Sequence, residues 1–118
     1  MSYTIEEVSD ETVLVRAGTN LDFRNADEVH AACNEHIRAG VKRFIFDFGE
    51  TDVLDSTGLG AIFKLYRKLS GLTGGEPAIA FADVGSQVQA ALRLTRTGRV
   101  FQEYDSVEEA LEAVPKAQ

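Results

Sequence analysis

The stretch from Phe44 to Phe63 joins two different hydrophobic periods, and few folds accept such a junction. Phe44-Ile45-Phe46-Asp47-Phe48 is a short, almost unbroken apolar run, the pattern of a strand buried on both faces. From Leu59 the apolar residues fall at Leu59, Ile62, Phe63, Tyr66 and Leu69, which is helical spacing. Between the two lies Asp55-Ser56-Thr57-Gly58-Leu59-Gly60, where an extended path turns into a helix. A buried strand feeding an amphipathic helix is half of a βαβ unit, so this stretch points to an α/β domain.

The junction is also the candidate working surface. Asp, Ser and Thr cap helix N-termini by accepting bonds from backbone N–H groups that have no partner within the helix, and Asp55, Ser56 or Thr57 could each do so. Capping alone does not account for Gly58 and Gly60, each costing about 1 kcal/mol relative to Ala near a helix start. Bare backbone beside Ser56 would let a protein surface or a phosphate approach closely. A helix N-terminus tolerates a phosphoryl group on its first turn. Phosphorylation of Ser56 would add about −1.5 to −2 charges next to Asp47, Glu50, Asp52 and Asp55. The added charge would repel these acids and an acidic or tightly packed partner, so the site has the character of a switch released by charge.

The flanking sequence fills in the fold. Tyr3 to Val8 alternates weakly as a first strand, and Thr12 to Ala17 reads as a second that pairs back across Asp10-Glu11, a hairpin pattern. A helix is expected from near Asn25 to Ala39, stopped by Gly40, with Val29, Cys33 and Ile37 on its buried stripe. The strand at Val41 to Phe48 and the junction helix follow, the latter closed by Ser70-Gly71 and Gly74-Gly75. Pro77 to Ala82 is a second buried-strand run, and Val88, Ala91, Leu92 and Thr95 mark a helix stopped by Gly98. Arg99 to Tyr104 is a short, more polar strand near an edge. Ser106-Val107-Glu108-Glu109 matches a capping box opening a last helix that buries Val107, Ala110, Leu111 and Val114 and ends at Pro115. The order β-β-α-β-α-β-α-β-α predicts a single α/β domain over residues 1–118, with a mixed, mainly parallel sheet and an N-terminal antiparallel hairpin.

Composition narrows the function. The 118 residues carry a net charge of −7, which argues against nucleic acid as a partner. The small basic cluster Lys64, Arg67 and Lys68 is expected to be a solvated face complementing the helix C-terminal dipole. No apolar run is long enough for membrane insertion, Met1 to Glu7 lacks signal-peptide character, and a single Cys suits a reducing compartment, so a cytoplasmic location is expected. His30, Cys33 and His36 fan over about 120° of helix surface and do not converge, so neither a metal nor another cofactor is expected. Phosphate-binding loops, the dinucleotide fingerprint and the Gly-x-Ser-x-Gly elbow do not occur. Asp47 stands near the end of a central strand, as in a phosphoryl-accepting receiver. The acidic pair and the Lys that such chemistry needs have no match here: the early loops hold only scattered Asp10, Glu11 and Asp22, and Asp105 and Ser106 follow the last strand. No constellation supports an enzyme.

These residues together carry a resemblance. The strand Phe44 to Phe48, the motif Asp55-Ser56-Thr57-Gly58-Leu59-Gly60, Leu21-Asp22 before the first helix and the ending Asp105-Ser106-Val107-Glu108-Glu109-Ala110-Leu111 stand as in a STAS domain of the bacterial anti-sigma-factor antagonist type. The chain resembles that family over nearly its whole length, and Asp-Ser-x-Gly is the specific part. The resemblance implies a non-enzymatic, phospho-switched interaction module. Unphosphorylated Ser56, with Thr57 as an alternative acceptor, would leave the domain able to bind an anti-sigma factor that is itself a GHKL-type serine kinase, freeing the sigma factor. A PP2C-type phosphatase would reset the switch. The implied partner surface comprises Asp22, Asp55, Ser56, Thr57, Gly58, Leu59 and Gly60, with Asp22 equally a turn residue. The alternative is an adaptor in a stressosome or lipid-transport ATPase complex, with Ser56 mainly a helix cap.

Overall fold

The computed structural model describes residues 3–74, 78–95 and 101–113. The expected elements at Gly75, Pro77, Gly98, Arg99, Val114 and Pro115 lie outside the described residues. Strands β1 (Thr4–Glu7) and β2 (Thr12–Arg16) form the antiparallel hairpin, with Thr4 opposite Arg16 and Glu7 opposite Val13. The sheet continues in parallel through β4 (Arg43–Asp47), β6 (Ile79–Ala82) and β7 (Gln102–Tyr104), in the order β1-β2-β4-β6-β7. This is the mixed, mainly parallel α/β arrangement expected.

Helices α1 (Ala26–Arg38), α2 (Ser56–Thr73) and α3 (Ser86–Thr95) link the parallel strands, and α4 (Val107–Ala113) ends the described chain. The strand period of two decides which helix covers which face. Val13 and Val15, Phe44 and Phe46, and Ile79 and Phe81 point to one side. There they pack with Val29, Cys33 and Ile37 of α1, Leu59, Ile62, Leu65 and Leu69 of α2, and Val88 and Leu92 of α3. Leu14, Ile45 and Ala82 point to the other side, against Ala110, Val107 and Leu111 of α4. Aromatic rings dominate the thicker layer: Phe48 meets Phe81 edge-on at 5.0 Å, and Phe81 lies 4.7 Å from Phe101.

Several boundaries move, for physical reasons. Helix α2 runs through Ser70 and Gly71 and stops at Gly74, whose left-handed φ of 70° suits a glycine C-cap. Lys64, Arg67 and Lys68 therefore sit in mid-helix, exposed, away from the carbonyl end they were expected to complement. On α2 Leu65 is fully buried, while Phe63 and Tyr66 are half-buried and pack on Phe101. At the end of α1 the reversal falls on Gly40, with φ of 105°. Glu109 N donates to Ser106 Oγ at 3.1 Å, the cap that the Ser106 motif predicts.

Two elements have no counterpart in the sequence expectation. β3 (Asn20–Leu21) and β5 (Val53–Leu54) form a separate two-stranded parallel sheet, with Asn20 opposite Val53 and Leu21 opposite Leu54. Thr51 Oγ1 donates to Gly18 O at 2.7 Å, and Asp52 N to Thr19 O at 2.8 Å, tying the same two loops together. This small sheet places the start of α1 beside the start of α2.

Candidate functional site

The site is built where β3 and β5 hand over to the two helices. β5 ends at Leu54, whose side chain is buried, and Asp55 turns the chain with an extended backbone, φ −107° and ψ −177°. Asp55 is the N-cap of α2. One carboxylate oxygen accepts from Gly58 N at 2.8 Å, and the other accepts from Phe23 N at 3.1 Å. A single side chain thus satisfies one N–H of the helix start and one of the loop before α1.

With the cap held by Asp55, Ser56 is released from that role. It is the first residue of α2 and is exposed, and its hydroxyl has no hydrogen bond among the described residues. Thr57 is exposed beside it. The expectation that Ser56 serves mainly as a helix cap is therefore corrected: the competing Asp55 side chain reaches Gly58 and, through Phe23, a second loop that a serine hydroxyl would not tie down.

The two glycines separate. A Cβ on Gly58 would lie 2.2 Å from the backbone oxygen of Leu21, so the missing side chain lets α2 close onto β3. Gly58 is buried, and its close approach is internal to the fold, not offered to a partner or a phosphate. Leu59 is likewise a core residue at 3% exposure. A Cβ on Gly60 would meet nothing within 4 Å, so Gly60 does leave open space beside the first turn.

Asp22 is also turned inward. It is 2% exposed, and its carboxylate accepts from Arg24 Nη2 at 2.7 Å, Arg24 Nε at 3.1 Å and Asn20 Nδ2 at 2.9 Å. The Arg24 hydrogen bonds hold its carboxyl at about 2, below the ordinary 3.8, against the opposing effect of burial. Asp22 O accepts from Ala26 N at 2.8 Å, and Asn25 Oδ1 accepts from Asp22 N at 3.0 Å. Asp22 thus organises the turn from inside, and Arg24, with 59% of its side chain exposed, covers it. The reading of Asp22 as bordering a partner surface gives way to the turn-residue reading.

The acids near the junction divide in the same way. Asp47 is engaged by Gly49 N at 2.8 Å and by Arg16 at 3.9 Å. Glu50 and Asp52 are exposed and Asp55 is half-exposed, and none of these three has an ion pair among the described residues. Two exposed apolar residues, absent from the expected partner surface, flank them: Phe23 at 73% and Val53 at 43% exposure. The only sequence signal for them is an apolar residue directly after an acid, Phe23 after Asp22 and Val53 after Asp52.

Away from the junction, Cys33 is fully buried, which pushes its thiol up to about 12. His30, half-buried on α1, loses proton affinity through burial and through the neighbouring Lys64 and Lys68. Among the described residues no helix is long and apolar enough to cross a membrane.

The chain belongs to the STAS domain family, whose profile matches residues 3–110. It is 25% identical over 109 residues to a Thermotoga maritima protein with the provisional name of anti-sigma factor antagonist, covering 92% of this chain and 94% of the relative. The fold is similar to that of the anti-sigma factor antagonist SpoIIAA in its unphosphorylated form, with a TM-score of 0.84, 22% identity and 96% of each chain covered. It is also similar to phosphorylated Bacillus SpoIIAA, with a TM-score of 0.76, 21% identity, and coverage of 97% of this chain and 100% of the other.

Proposed function

We propose that this protein is a cytoplasmic anti-sigma-factor antagonist whose docking is switched by phosphorylation of Ser56. The observation that carries the reading is the division of labour between Asp55 and Ser56: the cap is filled by Asp55, and the serine hydroxyl is left exposed and unbonded. The Ser56 oxygen attacks the γ-phosphorus of ATP held by a GHKL-type serine kinase, ADP leaves, and the hydroxyl proton passes to the kinase. The unphosphorylated domain binds that kinase, which is the anti-sigma factor, and so frees the sigma factor. A PP2C-type phosphatase hydrolyses the phosphoserine and restores binding.

The electrostatics support the direction of the switch. A phosphoserine adds about −1.5 to −2 charges at a spot where Glu50 and Asp52 have no ion pair among the described residues and Asp55 shares the nearby Arg24 with Asp22. A partner shaped for the neutral serine loses its fit, and the nucleotide phosphates that this partner holds at Ser56 meet like charge there. Thr57, exposed on the same turn, is the alternative acceptor.

The test is a binding and phosphorylation assay with the source organism's GHKL-type serine kinases, purified one at a time with ATP or ADP. Ser56→Ala binds one of them constitutively and takes up no phosphate, and Ser56→Asp binds it weakly, one carboxylate being a poor copy of a phosphate dianion. Equal binding by both variants, or phosphate on neither Ser56 nor Thr57, overturns the switch.

A further inference from the structure

Phe23 is out of place by the rules that govern the rest of the chain. Of the seven phenylalanines, Phe44, Phe46, Phe48, Phe81 and Phe101 are buried and Phe63 packs against the core, while Phe23 is 73% exposed. Exposure of one apolar side chain is ordinary. Exposure on a backbone that is fastened on every side is less so. Phe23 N donates to Asp55, Arg24 N and its guanidinium donate to Asp22 immediately before it, and Asn25 N donates to Asp22 O. The ring is carried on a rigid turn, so docking it costs little backbone entropy. Val53 adds a second exposed apolar side chain from the neighbouring strand β5.

We propose that Phe23 is the apolar anchor by which the kinase partner takes hold of this domain, seated in an apolar pocket whose rim carries Lys or Arg. The proposal rests on the functional reading of Ser56 given above. Asp55 sets the geometry, because one carboxylate holds both the Phe23 backbone and the turn that carries Ser56. Charge selects the occupant. Asp52 stands next to Val53 without an ion pair among the described residues, and the one cation beside Phe23, Arg24, is bonded to Asp22 and lies near Asp55, so the two acids Asp22 and Asp55 share it. A second copy of this chain, at −7, brings like charge to this rim, and an anionic membrane does the same. An enzyme that must bring ATP phosphates to Ser56 brings cations.

The experiment measures binding and Ser56 phosphorylation by the kinase that accepts the wild-type domain. It compares wild type with Phe23→Ala, Phe23→Lys, Phe23→Leu and Leu72→Ala. Leu72 is the control, exposed at 58% at the far end of the 18-residue α2. Truncation of a central aromatic anchor predicts weakening by roughly 30-fold or more for Phe23→Ala, read as a raised Kd and KM with kcat nearly unchanged. Phe23→Lys binds more weakly still, Phe23→Leu recovers most of the affinity, and Leu72→Ala matches wild type. Thermal midpoints of the Phe23 variants stay near that of wild type, which separates docking from folding. Phe23→Ala binding within twofold of wild type overturns the anchor and leaves the Ser56 switch standing. So does Phe23→Lys binding better than Phe23→Ala. If no GHKL-type kinase binds or phosphorylates the wild type, the switch itself fails and the anchor falls with it.

Discussion

The carboxylate of Asp55 accepts the backbone N–H of Phe23, 32 residues earlier in the chain, at 3.1 Å while its other oxygen caps α2 at Gly58. This one side chain joins the turn before α1 to the turn before α2 and leaves Ser56 uncommitted. Asp55→Ala removes the acceptor for both N–H groups and is expected to cost about 1–3 kcal/mol. Asp55→Asn keeps one oxygen and costs less. Ser56→Ala, at an exposed position without a bond to lose, stays within about 0.5 kcal/mol of wild type. Urea denaturation of the three variants checks the order. A Ser56→Ala cost equal to that of Asp55→Ala would return the capping role to the serine.

The two glycines of α2 are expected to respond in opposite directions. Gly58→Ala drives a methyl group to 2.2 Å from the backbone oxygen of Leu21. Because a backbone atom cannot swing aside, β3 and α2 must separate, at about 2–3 kcal/mol. Gly60→Ala meets nothing within 4 Å and raises helix propensity, so it stabilises by up to about 1 kcal/mol. Melting curves of both variants decide this. If Gly60 also serves close approach of the partner, Gly60→Ala gains stability and loses affinity together.

The main sheet and the helices were legible because their signals are long and local. The run Phe44 to Phe48 is apolar on both sides of the period of two, and α1 repeats Val29, Cys33 and Ile37 at helical spacing. β3 and β5 were not legible, since two residues have no period and their pairing is settled by distant partners, Asn20 with Val53 and Leu21 with Leu54. The cap was ambiguous for a related reason. Asp55, Ser56 and Thr57 are all competent cappers in sequence, and the choice is made by Phe23 in another loop. Asp22 left the partner-surface and turn readings equally open in sequence, and Arg24 two residues on decides between them by making its burial possible. Nothing in the sequence around Phe23 marks its side chain as exposed, and only the turn that displays it shows this.

Cys33 is expected to be silent in the folded protein. It is fully buried, and its thiol is pushed up to about 12, so neither access nor thiolate is available near neutral pH. An aromatic disulfide reagent at pH 8 should label it at the rate of global unfolding, and rapidly in urea. Fast labelling of the native protein would mean that the contact between α1 and the sheet opens locally.

Asp22 predicts how the domain responds to acid. Its carboxyl titrates at about 2 in the fold against an ordinary 3.8, chiefly because Arg24 donates to the charged form. A carboxylate with a lowered folded pKa contributes its stability above the unfolded pKa and loses it as the pH falls through the folded one. Between about pH 4 and pH 2 the unfolded chain takes up the proton first, so this contribution drains away across that window. In Asp22→Asn the amide cannot form the charged bonds to Arg24. That variant should be less stable at neutral pH and should lose less of its remaining stability between pH 4 and pH 2. Chemical denaturation at several pH values, at fixed ionic strength, gives the two slopes. Parallel slopes would show that the Asp22–Arg24 pair contributes nothing to acid sensitivity and that other carboxylates carry it.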